Sequence, residues 1–178
     1  MALVTGGATG LGLEIARLLG SHGARVAICS RKEANLEAAV AALRQAGIEA
    51  IYGVCDVRRH DEVTAVVEDV LRTFGQLDVV INNAAGNFPV PISDLSPNGF
   101  KAVVDIDLLG TFNVSKAAFD LWLRDHGGAV VNISAAIQYR GMARQAHVVS
   151  AKAGVDALSR TCAITHRASE KLARCLLL

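Results

Sequence analysis

The chain has 178 residues, with 18 Lys and Arg against 17 Asp and Glu, so its formal net charge is +1. This balance excludes the basic surface expected of a protein that binds nucleic acid or an anionic membrane. With 52% hydrophobic but only 4% aromatic residues and no apolar run near the ~18 residues of a membrane span, the composition predicts one soluble domain over residues 1–178.

The first predicted element is a strand, a glycine turn and a helix. Ala2–Thr5 suits a buried strand, and apolar residues follow from Leu13 to Leu19 at roughly helical spacing. Such a turn points the first N–H groups of the helix at one spot, where a diphosphate fits. The alternative is a plain tight turn. The residues predicted to bind the phosphates are Thr5, Gly6, Ala8, Thr9, Gly10, Leu11 and Gly12.

The second predicted strand, residues 24–30, ends at Ser30 and is followed by Arg31 and Lys32. In dinucleotide-binding folds an acidic residue here binds the 2′-hydroxyl of the adenosine ribose, whereas a basic residue accepts a 2′-phosphate. These three residues therefore predict NADP as the cofactor. The alternative is that they form the solvated start of a helix.

Helices and strands then alternate along the chain. The pattern predicts helices at Glu33–Gln45 and His60–Phe74, and strands at residues 50–57 and 77–82. This order predicts an α/β fold with a doubly wound parallel sheet of Rossmann type. In such a sheet, ligands bind at the carboxyl ends of the strands.

Two short segments lie at predicted strand ends. Asp56 and Val57 end the third strand, where the adenine is expected. Small residues after the fourth strand would let the chain approach a cofactor, and Asn82 or Asn83 would tie neighbouring strands together. The predicted cofactor-binding residues of this second segment are Asn83, Ala84, Ala85 and Gly86.

The second half predicts a long helix at residues 97–125, a fifth strand at 128–134, a loop at 135–145 and a helix at 147–164. These two helices could pair with copies of themselves, so a homo-oligomer is expected. The four cysteines have no metal-ligand spacing and are expected to be buried thiols. They are Cys29, Cys55, Cys162 and Cys175.

Over residues 2–164 the chain resembles the short-chain dehydrogenase/reductase family. The matching motifs are Thr5-Gly6-x-x-x-Gly10-x-Gly12, Asp56-Val57, Asn82-Asn83-Ala84-Ala85-Gly86, Asn132-Ile133-Ser134 and Ser150-Ala151-Lys152. Within the family it is most similar to 2,4-dienoyl-CoA reductases of the peroxisomal type, on four segments: Asn82 to Phe88, Asp105-Ile106-Asp107, Gly110-Thr111-Phe112-Asn113-Val114 and Arg124-Asp125-His126-Gly127-Gly128. That resemblance implies NADPH as the cofactor and a conjugated fatty acyl-CoA as the substrate.

The chain departs from the family at three catalytic positions. Carbonyl-reducing members have a tyrosine four residues before the lysine, a serine thirteen residues before that tyrosine, and an asparagine in the long helix. Val148, Ala135 and Asp107 occupy these positions, and only Lys152 remains. The general-acid contribution of a tyrosine, about 10²- to 10⁴-fold, is therefore absent.

These departures favour reduction of a double bond over reduction of a ketone. In a dienoyl thioester the charge moves through the conjugated bonds to the thioester oxygen, so a proton donor is needed away from the carbon that accepts hydride. The mechanistic hypothesis is that Lys152 holds the nicotinamide ribose and contributes positive charge, and that Asp107 supplies or orients the proton delivered near the thioester. The alternatives are a cap or pair within the helix for Asp107, and an exposed salt bridge for Lys152.

Other interpretations stay open. Tyr139 could be a replacement acid or a residue on the rim; Ser150 could bond to substrate or to backbone; Asn87 and Phe88 could line an acyl pocket, or Phe88 could simply pack. The alternative functions are a general short-chain carbonyl or 3-oxoacyl reductase, and a catalytically impaired nucleotide-binding or oligomerising fragment.

The resemblance ends after Ile164, and residues 165–178 diverge. The sheet is therefore expected to lack the family's last strands, with residues 169–178 forming a short helix over the exposed edge of the fifth strand. Without a terminal Ser-Lys-Leu signal, a cytoplasmic location is expected, or a peroxisomal one in a eukaryote.

Overall fold

The computed structural model describes the backbone of residues 1–166 and 173–177 and the side chains of residues 1–164. The first half of the chain forms β1 (Ala2–Thr5), α1 (Gly10–Ser21), β2 (Val26–Ser30), α2 (Glu33–Gln45), β3 (Ala50–Val54), α3 (His60–Phe74) and β4 (Val79–Asn82). The second half forms α4 (Pro97–Val104), α5 (Gly110–Ala118), α6 (Arg124–His126), β5 (Gly128–Asn132), α7 (Ala146–His166) and β6 (Ala173–Leu177).

The strands form one parallel sheet in the order β3-β2-β1-β4-β5-β6. The predicted doubly wound α/β fold is confirmed. Thr5 pairs with Cys29, Ser30 with Val54 and Asn82 with Asn132, so the carboxyl ends of five adjacent strands, β3-β2-β1-β4-β5, lie side by side. This alignment brings the segments that follow β1, β2, β3 and β4 to one edge of the sheet.

The predicted structure of the C-terminal tail is wrong. Residues 173–177 form a sixth strand that pairs with β5 in parallel register, from Gly128 opposite Ala173 to Asn132 opposite Leu177. An unpaired strand edge presents a row of N–H and C=O groups that a further segment can satisfy. A strand therefore occupies the edge that a short helix was expected to cover; residues 169–172 and 178 lie outside the described residues.

The long predicted helix is confirmed as one continuous stretch over residues 97–126. It contains two π-helical segments, Asp105–Leu109 and Phe119–Leu123, between α4, α5 and α6. It begins where Ser96 Oγ accepts the Gly99 N–H at 3.0 Å and Pro97 occupies the first turn. Such π segments shift the helix face presented to the rest of the molecule and are frequent at functional sites.

Two apolar clusters fix the sheet from opposite faces. Valines at helical spacing along α3 pack with residues of α5 on one face, while residues of α1 and α2 cover the other. Fully buried members of the first cluster include Val67, Val70 and Leu77. Because both faces are covered, the strand ends form a rigid platform for the loops above them.

The predicted third strand is too long. β3 ends at Val54; Cys55 still donates its N–H to the Ser30 carbonyl, and the chain then turns toward α3. Asp56 and Val57 consequently lie in the loop beyond the strand, still at the carboxyl edge of the sheet. The bounds predicted for α2 and α3 are confirmed.

Candidate active site

A cleft of about 400 Å³ opens at the carboxyl ends of β1 to β4. Thirteen of the predicted cofactor-binding residues line it. They are Gly6, Ala8, Thr9, Leu11, Gly12, Ser30, Arg31, Lys32, Asp56, Val57, Asn83, Ala84 and Ala85. The predicted residues Thr5, Gly10, Gly86 and Lys152 do not line this cleft.

The glycine turn brings the start of α1 close to the loop after β4. Gly6 and Gly10 have φ values of +62° and +55°, a left-handed conformation that favours glycine. A Cβ on Gly12 would lie 2.4 Å from both the Gly6 carbonyl oxygen and the Asn83 Nδ2. Thr9 precedes α1 without capping it through its side chain, so the first N–H groups of the helix are available to an anion.

Thr5 braces the turn from beneath. Its buried Oγ1 accepts the N–H groups of Asn83 and Ala84, each at 3.0 Å, and Asn83 Nδ2 donates to the Thr5 carbonyl at 3.0 Å. Asn82 Nδ2 donates to Asn132 Oδ1 at 2.8 Å and joins β4 to β5. Both asparagines that were predicted to tie neighbouring strands do so. Asn82 joins β4 to β5 on one side, and Asn83, directly after β4, bonds to Thr5 of β1 on the other.

The far end of the cleft is positively charged. Arg31 and Lys32 are exposed directly after β2, and Asp56 faces them from the loop after β3. The Asp56 carboxylate accepts hydrogen bonds from the Arg58 Nε at 2.9 and 3.0 Å, and the Arg58 side chain holds the pKa of Asp56 below its usual value. This end of the cleft therefore keeps an ionised, paired carboxylate beside exposed cationic side chains.

Val57 is fixed in the same loop from α5. Its carbonyl oxygen accepts the buried Asn113 Nδ2 at 2.9 Å, and a Cβ on Gly110 would lie 2.6 Å from the Val57 side chain. The close approach explains the glycine in the middle of the long helix. It also fixes the position of Val57 on the cleft wall.

Four cleft residues were missed in the sequence: Cys29, Asn35, Cys55 and Ile106. Cys29 directly precedes Ser30, and Cys55 directly precedes Asp56, so both stand at strand ends where ligands bind. Including the residue directly before each predicted binding residue at a strand end would have identified both cysteines. Asn35, on the first turn of α2, has no signal beyond its nearness to Lys32.

Asp107 and Lys152 meet beside the cleft. Asp107 is completely buried on the first π-helical segment; its Oδ1 accepts the Gly86 N–H at 2.7 Å, and its Oδ2 lies 3.4 Å from Lys152 Nζ. Lys152, on α7, also donates to the Ile133 carbonyl at 2.8 Å. The carboxylate pairs across elements rather than within its helix, and the lysine is buried rather than exposed, so the two simpler interpretations are wrong.

Burial raises the pKa of Asp107 above its usual value, although the Lys152 ammonium and the Gly86 N–H act in the opposite direction. Among the described residues, Asp107 Oδ2 has no hydrogen-bond partner. A buried carboxyl with a raised pKa keeps its proton to a higher pH than an exposed one. This group can therefore hold and release a proton next to a fixed cation.

The positions of the absent family hydroxyls carry no proton donor. Val148 is buried at the start of α7, and Ala135 follows β5. The nearest phenol in the sequence is Tyr139, but its side chain is 70% exposed and its hydroxyl donates to Asp156 Oδ2 at 2.8 Å. This hydrogen bond raises the pKa of Tyr139 and favours the rim interpretation.

The structure also places two further candidates. Ser150 Oγ donates to the Ala146 carbonyl at 2.8 Å, which favours the backbone interpretation. Phe88 is 41% exposed and packs on His147, a buried residue that the sequence did not single out. The one sequence signal for this histidine is its place directly before Val148.

Cys29 and Cys55 are buried and Cys162 is partly buried, while the side chain of Cys175 lies outside the described residues. Within the described part of the chain, no three His, Cys, Asp or Glu residues cluster as metal ligands do. None of the helices described combines the length and hydropathy needed to cross a bilayer.

Comparison with known proteins gives concordant results. The short chain dehydrogenase family pattern matches residues 1–170. A peroxisomal 2,4-dienoyl-CoA reductase of Danio rerio is 46% identical over 92% of the chain and 55% of its own length. The Arabidopsis thaliana enzyme of the same name is 45% identical over 92% of the chain and 58% of its own length. The chain thus spans just over half the length of these relatives.

Solved structures agree with the fold. A short chain dehydrogenase from Bacillus anthracis superposes with a TM-score of 0.91 at 34% identity, covering 96% of this chain and 71% of that one. An actinorhodin polyketide ketoreductase with NADPH superposes with a TM-score of 0.90 at 34% identity, covering 96% of this chain and 66% of that one. Both similarities extend over the cleft and the helices that flank it.

Proposed function

Because the chain belongs to the short-chain dehydrogenase family, we propose that it is an NADPH-dependent oxidoreductase that reduces an unsaturated fatty acyl-CoA. The observation that carries this proposal is the buried Asp107–Lys152 pair in a site where Val148 and Ala135 replace the family's hydroxyls. The names of the relatives, 2,4-dienoyl-CoA reductases, support the same substrate class.

The residues of the cleft fit a dinucleotide with a 2′-phosphate. Gly6, Gly10 and Gly12 leave room for phosphate oxygens at the start of α1, where added Cβ atoms would be strained or would clash. Ser30, Arg31 and Lys32 would receive the 2′-phosphate, and Asp56 and Val57 would border the adenine. Asn83, Ala84, Ala85 and Gly86 would follow the cofactor toward Lys152. When bound, NADPH supplies the hydride.

The protein's own groups then complete the reduction. Hydride added at the distal carbon of a conjugated thioester sends an electron pair through the double bonds to the thioester oxygen, and protonation of carbon completes the product. Lys152 would hold the nicotinamide ribose and supply positive charge there, and Asp107 would hold the proton that is delivered to the substrate. Gly86 orients the Asp107 carboxyl through its N–H. Phe88, with Asn87, forms one wall for the acyl chain.

The test is an assay of NADPH oxidation with a 2,4-dienoyl-CoA and, separately, with a ketone or 3-oxoacyl substrate, beside an NADPH binding titration. Turnover of the dienoyl-CoA with little turnover of the ketone is the expected result. Faster turnover of the ketone would support the general carbonyl reductase instead. Binding of NADPH without turnover of either substrate would support an impaired nucleotide-binding or oligomerising fragment.

The proposed assembly is a homo-oligomer that pairs through the long helix and α7. Apolar side chains stand exposed along the long helix, including Leu109, Phe112 and Leu121, and such a patch is a candidate association surface. Light scattering of the purified chain and of Phe112→Glu tests this: the variant should shift to monomer, and a monomeric wild type would refute it. The proposed location is cytoplasmic, or peroxisomal in a eukaryotic cell; the names of the relatives support the peroxisomal alternative.

A further inference from the structure

The first turn of α7 contains a buried histidine that the proposed reaction does not use. His147 is fully buried; its Nδ1 accepts the Val148 N–H at 2.8 Å, and its Nε2 lies 2.9 Å from the Phe88 carbonyl oxygen. A backbone N–H only donates and a carbonyl oxygen only accepts. The two partners therefore assign the neutral ring with its proton on Nε2.

This ring joins two loops that follow different strands. Phe88 lies after β4, whereas His147 lies after β5, and their rings pack edge to face with centroids 4.6 Å apart at an angle of 74°. A second bond joins the same loops, from the Val90 N–H to the Arg144 carbonyl at 3.0 Å. The segment after β4 is thus tied to the start of α7 at two points.

The tied segment reaches the proton-holding group. Gly86, two residues before Phe88, donates its N–H to Asp107 Oδ1 at 2.7 Å, and Asp107 Oδ2 faces Lys152 of α7 at 3.4 Å. Contacts therefore link α7 to residues 86–90 through His147 and Phe88. They link the same residues back to α7 through Gly86, Asp107 and Lys152. Loss of the His147 bond would release the Phe88 end of this set of contacts, and the Phe88 side chain is itself 41% exposed.

We propose that His147 is a positioning residue. It clamps residues 86–90 against α7, so that the Gly86 N–H stays on Asp107 and the Phe88 ring stays in place as a wall of the acyl site. Its effect on substrate rests on the proposed reductase function, whereas the clamp is a property of the fold. The two consequences are therefore measured separately.

Two isosteric variants separate the two bonds of the ring. In His147→Gln the side-chain amide reaches the Nε2 position and can still donate to the Phe88 carbonyl, whereas in His147→Asn the amide reaches only the Nδ1 position and keeps the bond to Val148. We expect hydrogen exchange at the Gly86 and Val90 amides to accelerate about fivefold to tenfold in His147→Asn, the effect of one lost hydrogen bond. Exchange in His147→Gln should stay near that of the wild type.

The Michaelis constants of the two variants should follow the same order as their exchange rates. The KM for the dienoyl-CoA should rise about fivefold to tenfold in His147→Asn and recover in His147→Gln, while the NADPH dissociation constant stays unchanged because the cleft residues are untouched. Val67→Ala, in the buried α3 cluster, is the control for general destabilisation. It should lower the unfolding midpoint without accelerating Gly86 and Val90 selectively.

Each outcome decides one of the two claims. Unchanged exchange in His147→Asn, or selective acceleration in Val67→Ala of equal size, would overturn the clamp. Selective acceleration with unchanged KM would overturn its role in positioning substrate. If the wild type fails to reduce the dienoyl-CoA while His147→Asn still accelerates exchange, the clamp stands and the proposed function fails.

Discussion

The Asp107 carboxyl group shows how one side chain takes its chemistry from its surroundings. Burial on the π-helical segment raises its pKa, while Lys152 and the Gly86 N–H hold it in one orientation. The position could be predicted from the sequence, because an aspartate stands where the resembled family has an asparagine. The depth of burial could not, because it depends on residues distant in sequence, among them Gly86 and Lys152.

Replacing Asp107 should reduce turnover without reducing cofactor affinity. We expect Asp107→Ala and Asp107→Asn to lower the rate of dienoyl-CoA reduction at least about tenfold, because a positioned acid contributes about 10²- to 10⁴-fold. Steady-state kinetics and an NADPH titration measure the two effects. Asp105→Asn is the matched control, since this carboxylate lies on the same π-helical segment but pairs with exposed Lys101. An unchanged rate in both Asp107 variants would remove the residue from the mechanism.

The raised pKa of Asp107 also predicts how stability depends on pH. The folded state binds this proton more tightly than the unfolded state, so its stabilising effect is complete below the ordinary pKa and is lost as pH rises through the folded pKa. Relative to Asp107→Asn, the wild type should therefore lose unfolding free energy from about pH 4 upward, by about 1.4 kcal/mol for every pH unit that separates the unfolded and folded pKa values. Urea denaturation across pH measures it. A difference that stays constant or grows with pH contradicts the raised pKa.

The choice between NADPH and NADH also depends on a single side chain, Arg31. Arg31→Asp removes a cation from the rim of the cleft and adds a carboxylate that suits a ribose 2′-hydroxyl. We expect NADPH affinity to fall about tenfold to a hundredfold, the range for a lost charged hydrogen bond, and NADH affinity to rise. Fluorescence titration with both nucleotides is the measurement. Arg17→Asp, on the exposed surface of α1, controls for the change in net charge.

At the scale of elements, the glycine turn, α1 and the loop after β4 form one unit. Gly12 lets α1 approach the turn closely, because a Cβ there would meet the Gly6 backbone and the hydrogen-bonded side-chain amide of Asn83. The glycine spacing predicts this unit well, because phosphate binding and close approach require the same residues. The π-helical segments and the early end of β3 were not predictable, because they follow from contacts distant in sequence.

A methyl group at Gly12 should disturb the turn and the ligand together. We expect Gly12→Ala to weaken NADPH binding at least about tenfold. The added Cβ would force the turn to shift, and small displacements of the groups that position a ligand are costly. Gly20→Ala, at the other end of α1, meets the flexible Ile48 side chain instead and is the control. It should cost stability with little loss of affinity. Equal loss of affinity in both variants would argue against a special role for the turn.

For the whole molecule, the order of strands could be predicted from the sequence, but its outer limit could not. Alternating elements and right-handed crossovers leave few topologies for residues 2–164, and the observed sheet follows one of them. β6 was not foreseen, because its pairing with β5 is decided by an available edge rather than by a pattern within residues 173–177. The contact of His147 with Phe88 could not be predicted either, because a single histidine forms no periodic pattern in the sequence.

The reactivity of the buried thiols of Cys29 and Cys55 can report how often the strand ends open. A hydrogen bond to Cys55, together with burial, raises the pKa of Cys29 well above its usual value, so the thiolate that reacts with alkylating agents is scarce while the strand ends stay closed. Alkylation of Cys29 should therefore be slow in the folded protein and should accelerate when the strand ends open. We expect NADPH to slow this alkylation and Leu36→Ala, which removes a buried side chain of α2, to accelerate it, as mass spectrometry of labelled peptides would measure. Labelling as fast as that of Cys in a denatured sample would contradict a closed cleft floor.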